Sequence, residues 1–216
     1  MPTDTAQFEI IRADRLGFDP GAGMSSVFVE GFAKWLGFFS KDRDVLVSAF
    51  AHMFVPDRFY AAVTDGQIAG IAACAARGAE SIRLDAGELR KHFGFLKGTI
   101  AAHALRKEFG RPFVNLPPQT GLIDFVGTAL AFRGKGAASQ IIRHILSDTP
   151  YAQYRLQVAD TNTNAVNLYR KLGFEEFRRV PLPARKARRA GINSVIWMKY
   201  VKIAAKESSA AFYGPD

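Results

Sequence analysis

The sequence predicts an α/β domain, and three patterns carry that reading. Two apolar strands meet at an Asp65-Gly66 turn, a favoured two-residue hairpin connection. An apolar run, a basic glycine-rich turn and an amphipathic segment follow one another over residues 122–146. A further strand and short helix end at Gly173-Phe174. With 216 residues, 48% of them apolar, the chain can bury one core. The expected organisation is a single domain over residues 1–204 with a helical insertion at 77–120. A small polar tail at 205–216 is expected to be mobile.

Phe8–Arg12 reads as an opening strand, broken by Gly17–Gly23 with Pro20. Ser25 or Ser26 is then expected to cap a helix with Val27, Phe28, Phe32, Trp35 and Leu36 on its apolar side. Ser40 is expected to cap a second helix through Met53, with Val45, Leu46, Ala49, Phe50 and Met53 on one face. Pro56-Asp57 ends it, and the hairpin Phe59–Thr64 and Gln67–Ala72 follows. Residues 77–120 are too many for a structureless loop. Leu89, Phe93, Leu96, Ile100 and Ala104 recur at helical spacing, interrupted by Gly94 and Gly98, so one broken helix or two short ones are expected. An irregular stretch then runs through Asn115–Pro118.

Leu122–Leu130 is rich in β-branched and aromatic residues and reads as a strand. Ala137, Ala138, Ile141, Ile142, Ile145 and Leu146 recur at helical spacing. Between them lies Arg133-Gly134-Lys135-Gly136. Free backbone N–H groups at the positive end of a helix make a phosphate site. The turn is neither a Walker A loop nor the dinucleotide fingerprint, since no Lys-Ser or Lys-Thr closes it and the glycine spacing differs. In the second motif, Asn162 or Thr161 can serve as N-cap, Ala165, Leu168 and Leu172 form an inward stripe, and Gly173 supplies a left-handed cap. Phe174–Phe177 and Ser194–Tyr200 complete the strands, and the stretch between them reads as a loop.

The spacing Arg133-x-x-Gly136-x-Ala138, followed by Asn162 and Leu168-Tyr169, resembles the two cofactor motifs of the GCN5-related N-acetyltransferase (GNAT) superfamily. The resemblance covers residues 57–75 and 121–202 well and the rest weakly. It implies the GNAT fold, a mixed, mostly antiparallel twisted sheet flanked by helices, with the insertion lying between strands 3 and 4. It also implies an acetyltransferase that uses acetyl-CoA as co-substrate, without a metal, and passes the acetyl group directly to a primary amine. Backbone groups of Val126, Gly127 and Thr128 would then hold the pantetheine arm, in a splay between this strand and the one ending at Val158. Arg133, Gly134, Lys135, Gly136, Ala137 and Ala138 would hold the pyrophosphate, with Lys135 an accessory cation or a plain surface lysine. Asn162 would bond the pantetheine, and Tyr169 would protonate the departing thiolate. Met198 stands where these enzymes commonly carry a methionine.

Asp124, read as sharing the alternation of Val126 and Thr128, is a candidate general base. Glu30, Glu80, Asp160 and a water relay are alternatives. His92 and His103 read as surface or structural residues, and no cluster has metal-ligand spacing. The lone Cys74 excludes an internal disulfide and reads as a small buried hydrophobe. No run of about 18 apolar residues suggests a membrane span, and no signal peptide is visible, so a cytoplasmic protein is expected.

The net charge of +9 points to an anionic partner, with Arg178, Arg179, Arg185, Lys186, Arg188 and Arg189 crowded together. That stretch is either a solvated loop or an attractor for coenzyme A phosphates or an acidic substrate. A basic nucleic-acid-binding module is a competing reading, weakened by the absence of aromatics within the basic loop. A non-catalytic acyl-CoA sensor is another, against which Tyr169 speaks. The expected partner is a small-molecule or peptide amine, with a homodimer compatible. The insertion is either a stabilising appendage or a wall of the acceptor site.

Overall fold

The structure is a computed structural model that describes residues 7–109 and 116–202, apart from the side chains of Lys34, Trp35, Glu108, Phe109 and Arg189. The expected tail and part of the insertion lie outside the described residues. The strands are β1 (Glu9–Arg12), β2 (Phe59–Thr64), β3 (Gln67–Ala75), β4 (Thr120–Thr128), β5 (Gln153–Ala159), β6 (Glu175–Pro181) and β7 (Ser194–Val201). The helices are α1 (Gly21–Leu36), α2 (Arg43–Phe50), α3 (Ala86–Phe93), α4 (Phe95–Phe109), α5 (Ala137–Asp148), α6 (Thr163–Lys171) and α7 (Ala184–Ala190).

The strands form one sheet in the order β1-β2-β3-β4-β5-β7-β6. Neighbours run antiparallel, except that β4 and β5 run parallel. This is the mixed, mostly antiparallel sheet expected, with the insertion between β3 and β4. The β2–β3 turn is built as the sequence requires. Asp65 and Gly66 both hold positive φ (49° and 70°), the two left-handed positions that an Asp-Gly pair tolerates.

Two apolar layers sandwich the sheet. On one face α1–α4 cover β2–β4 around Phe28, Phe50, Phe59, Ile71, Leu89 and Leu105. On the other, α5 and α6 close over Ala72, Ile123, Ile141, Leu156, Tyr169 and Met198. β2 and β3 are buried on both faces, and their alanines and glycine let helices come close. A Cβ at Gly70 would lie 3.4 Å from Ala137 Cβ and 3.0 Å from the Gly127 carbonyl.

Several boundaries differ from expectation, each for a local reason. α1 starts four residues before Ser25, because Pro20 fixes the first turn and the Asp19 carboxylate accepts the Gly21 N–H at 2.9 Å. Ser25 instead ties α1 to α2, its hydroxyl donating to the Val47 carbonyl at 2.7 Å. Asp42, not Ser40, caps α2, accepting from Asp44 and Val45, and that helix stops at Phe50. Among the described residues the insertion holds two helices, divided at Gly94 (φ 77°). Gly98 lies inside α4, where a Cβ would overlap the Arg90 backbone. In α6 the buried positions are Val166 and Tyr169, while Ala165, Leu168 and Leu172 are only half-buried. The expected β6–β7 loop contains α7. Its Ala, Arg and Lys residues are strong helix formers, and Gly191 closes it in the left-handed region (φ 67°).

Candidate active site

β4 and β5 pair over only three positions, Thr120↔Gln153, Gly121↔Tyr154 and Leu122↔Arg155. Beyond Leu122 the strands part, β5 continuing against β7 to Ala159 while β4 continues against β3 to Thr128. The splay opens at the carboxyl ends of two parallel strands, with Val126, Gly127 and Thr128 half-buried along one lip.

A bulge shapes that lip. Ile71 pairs with Gly127 and Ala73 with Asp124, so β4 holds one residue more than β3 opposite it. Phe125 sits at φ 49°, a left-handed conformation costing a bulky residue about 1–3 kcal/mol. Its ring contacts Phe28 and Phe59, at centroid distances of 6.2 and 5.9 Å, and this packing holds the backbone there. The extra residue overturns the simple alternation read from the sequence. Val126 packs with the α5–α6 layer, whereas Asp124 lies on the opposite face, paired with Ala73 of the α1–α4 layer. Gly127 also faces α1, where a Cβ would meet Val27 at 3.1 Å, so helix packing alone demands a glycine there.

Asp124 is the most perturbed carboxylate of the splay. Its carboxylate is enclosed by protein although the residue keeps a partly exposed edge. Burial pushes its pKa up to about 7, opposed by a hydrogen bond from Ser81. Ser81 Oγ donates to both carboxylate oxygens, at 3.1 and 3.3 Å. Ser81 is itself buried and begins the insertion, so residues 77–120 supply the partner of Asp124. Nothing in the residues around either partner signals that contact.

The rival bases are occupied or exposed. Glu30 accepts the Leu130 N–H at 2.7 Å and Arg43 at 2.9 Å, fastening α1 to the turn after β4. Asp160 accepts from Asn193 N–H and Ser194 Oγ, both at 3.1 Å. Burial acts most strongly on it and upward, yet these bonds together hold its pKa below the usual value. Glu80 is exposed. His92 is half-buried 3.8 Å from Glu88, and His103 is exposed on α4. Cys74 is buried, its thiol pushed up to about 12 by burial and then by neighbouring Asp124.

The glycine-rich turn presents a helix end. Gly134 and Gly136 hold positive φ (78° and 91°), and Gly136 is the N-cap of α5. The turn's own hydrogen bonds use the N–H groups of Phe132, Arg133 and Lys135. Those of Gly134 and Gly136 take no part in them, and the first-turn N–H groups of Ala137 and Ala138 have no acceptor inside the helix. Arg133 Nε reaches back to the Thr128 carbonyl at 3.3 Å, and the Lys135 ammonium lies 5.3 Å from the Phe132 ring centre.

Across the splay, Asn162 caps α6, its Oδ1 accepting the Ala165 N–H at 3.2 Å. That bond uses the amide oxygen and leaves the side-chain NH2 to donate elsewhere. Tyr169, 5% exposed, packs on Phe174 in the α5–α6 layer, and burial pushes its hydroxyl up to about 12. Met198 is fully buried. Among the described residues no group of His, Cys, Asp and Glu could hold a metal ion, and no helix is long and apolar enough to cross a membrane.

Solved structures share this architecture at low identity. An N-acetyltransferase from Staphylococcus aureus Mu50 is 15% identical, with a TM-score of 0.58 over 89% of this chain and 100% of that one. PH1933 from Pyrococcus horikoshii OT3 is 16% identical, with a TM-score of 0.55 over 91% and 99%. The ribosomal-protein-S18-alanine N-acetyltransferase from Escherichia coli is 12% identical, with a TM-score of 0.51 over 93% and 98%. None of the curated proteins matches the chain. A family description does match, Acetyltransferase (GNAT) family, over residues 32–174, which takes in the splayed strands, the glycine-rich turn and the Asn162–Tyr169 helix. By that match, over well more than half its length, the chain belongs to the GNAT acetyltransferase family.

Proposed function

We propose that the protein transfers the acetyl group of acetyl-CoA directly to a primary amine, with Asp124 as general base. The enclosed Asp124 carboxylate beside the splay carries this reading, because its pKa of about 7 suits a base working near neutral pH. An amine reacts only as the free base, so an ammonium that reaches the site must surrender a proton. A carboxylate with an ordinary pKa, about 4, would be a weak acceptor for it. Burial makes Asp124 a stronger one, and Ser81 holds it in place.

The remaining residues align and stabilise. The N–H groups of Gly134, Gly136, Ala137 and Ala138 suit a pyrophosphate, whose charge also matches the positive end of α5. Arg133 acts by fixing the turn through Thr128, and Lys135 adds positive charge nearby. The exposed edge of Val126, Gly127 and Thr128 and the Asn162 amide suit the amide groups of a pantetheine arm. Acetyl-CoA supplies an activated thioester, so positioning does most of the work. A solved relative of the fold, the NatC complex with Gag peptide and CoA, is 12% identical with a TM-score of 0.51 over 92% of this chain and 100% of that one.

Tyr169 keeps its proton throughout the working pH range. Raised to about 12, it is a weaker acid than a free tyrosine. Full transfer to a thiolate with a pKa near 8.5 would be uphill by roughly 3–4 pK units. Its role is therefore a hydrogen bond donated to sulfur as negative charge develops. Incubating the protein with acetyl-CoA and a panel of amines, and following free thiol, tests the whole reading. Amine-dependent thiol release supports it. Tight acetyl-CoA binding without release on any amine would favour a sensor.

A further inference from the structure

The half of the sheet beyond the splay carries a surface that the transfer chemistry does not explain. β5 and β7 pair Arg155 with Lys199 and Gln157 with Trp197, and β6 sets Arg178 against Trp197. Directly paired residues share a sheet face, so these side chains stand together. They lie opposite the face where Tyr154, Leu156, Ile196 and Met198 pack beneath α5 and α6. Arg155 also pairs with Leu122, and Leu122 alternates to the same face as Asp124. Arg155 thus stands on the Asp124 side of the sheet, at the last pair before β4 and β5 separate.

Its environment is unusual. The guanidinium carbon lies 4.9 Å from the Phe177 ring centre, and Nε is buried with no hydrogen-bond partner among the described residues. Buried donors of this kind are rare in native proteins. Lys199 stands beside it, and neither cation makes an ion pair among the described residues. Glu175 pairs with Lys199 in the strand register without an ion pair to it, and Glu176 is committed to Arg179 at 2.8 Å. Two adjacent cations on the Asp124 side of the sheet fit a carboxylate, which a guanidinium binds through two parallel bonds.

Resting on the transfer reading above, we propose that the acceptor amine itself carries a carboxylate, bound by Arg155 with Lys199 beside it. Phe177 and Trp197, in contact at 6.3 Å, form the aromatic backing of the subsite. From Leu122 to Asp124 is about 6.6 Å along the strand and the strand spacing is about 4.8 Å, so the Asp124 and Arg155 backbones stand at least about 8 Å apart on the same side of the sheet. An α-carboxylate and an acidic side chain next to a peptide N-terminus share this chemistry.

The test follows thiol release with L-amino acids, with the same amino acids as carboxamides, and with dipeptide amides whose second residue is acidic or neutral. Wild type should prefer carboxylate-bearing acceptors at least tenfold in kcat/KM, and the free acids against the acidic dipeptides identify which carboxylate is read. Arg155→Met should raise KM for those acceptors by 10- to 100-fold while leaving acetyl-CoA affinity and carboxamide turnover unchanged. Arg155→Lys should recover part of the loss. Lys199→Met should give the same split more weakly should Arg155→Met fold poorly. Carboxamides used as well as acids, or equal losses on both in the variants, would overturn the subsite while leaving acetyl transfer standing. No release with any amine would overturn the transfer reading, and this inference with it.

Discussion

The two halves of the sheet obey different rules. In the β1–β4 half the central strands β2 and β3 are small and apolar and buried on both faces, by α1–α4 on one side and α5 on the other. β5 and β7 are buried toward α5 and α6 only, so β7 alternates buried and half-buried residues from Ser194 to Lys199. In the first half nearly every side chain is explained by packing. The second half keeps cations and aromatics on its other face, which packing within the described residues does not require. The splay is the seam between the halves, and Asp124 sits on it with its carboxylate enclosed by the packed half.

Breaking the seam on the cofactor side should have the largest effect. Gly136→Asp places a carboxylate and a Cβ at a left-handed N-cap (φ 91°), against the N–H groups assigned to pyrophosphate. Calorimetry should find no measurable acetyl-CoA binding in this variant, with its circular dichroism unchanged. Unaltered affinity would move the phosphate site elsewhere.

Removing the hydroxyl of Tyr169 is expected to matter less. Tyr169→Phe should lower turnover by roughly 10- to 1000-fold where chemistry limits the rate, with acetyl-CoA affinity little changed because the ring still packs on Phe174. The burial of this hydroxyl also moves any basic limb it controls beyond the workable pH range. Wild-type turnover in the variant would return Tyr169 to a packing role.

The smallest effects are expected in the insertion, where the packed half meets solvent. Phe93 stacks on Phe39 at 5.9 Å and meets Phe50 edge-on at 5.8 Å, whereas Phe95 is 76% exposed. Phe93→Ala should cost about 1–3 kcal/mol in denaturant unfolding, and Phe95→Ala under about 0.5. With acetyl-CoA affinity constant, a few-fold change in acceptor KM for Phe95→Ala would give the insertion a part in acceptor choice. An unchanged KM would leave it the structural role that Leu89, Ala101 and Leu105 already show.

Features that one short stretch determines were legible in the sequence. Asp65-Gly66 specifies its turn, Gly134 and Gly136 specify theirs, and Asn162 caps α6, each through local backbone chemistry. Contacts between distant segments were not legible. The Ser81–Asp124 bond spans 43 residues and neither residue advertises the other. The bulge at Phe125 depends on rings from α1 and β2, so periodicity along β4 alone put Asp124 on the wrong face. Arg155 looks like any surface arginine until strand register sets it beside Lys199 and on the Asp124 side. Pro181 and Pro183 give the start of α7 the look of a loop, although the run from Ala184 to Ala190 has helix propensity throughout.

The central claim is that Asp124 takes the acceptor's proton, and the pH dependence of kcat at saturating acceptor tests it most directly. Because burial raises the carboxyl to about 7, turnover should fall about tenfold per pH unit below that value and level off above it. The same shift makes the folded state bind a proton that the unfolded state has already lost between about pH 4 and 7. Stability contributed by the neutral carboxyl therefore fades as pH rises through that window, and Asp124→Asn should be the more stable protein at pH 8. In turnover, Asp124→Asn should lose roughly 100- to 10,000-fold and, with it, the limb near pH 7. An Asp124→Asn enzyme that keeps both its rate and that limb would contradict the account, and the base would have to be sought elsewhere in the splay.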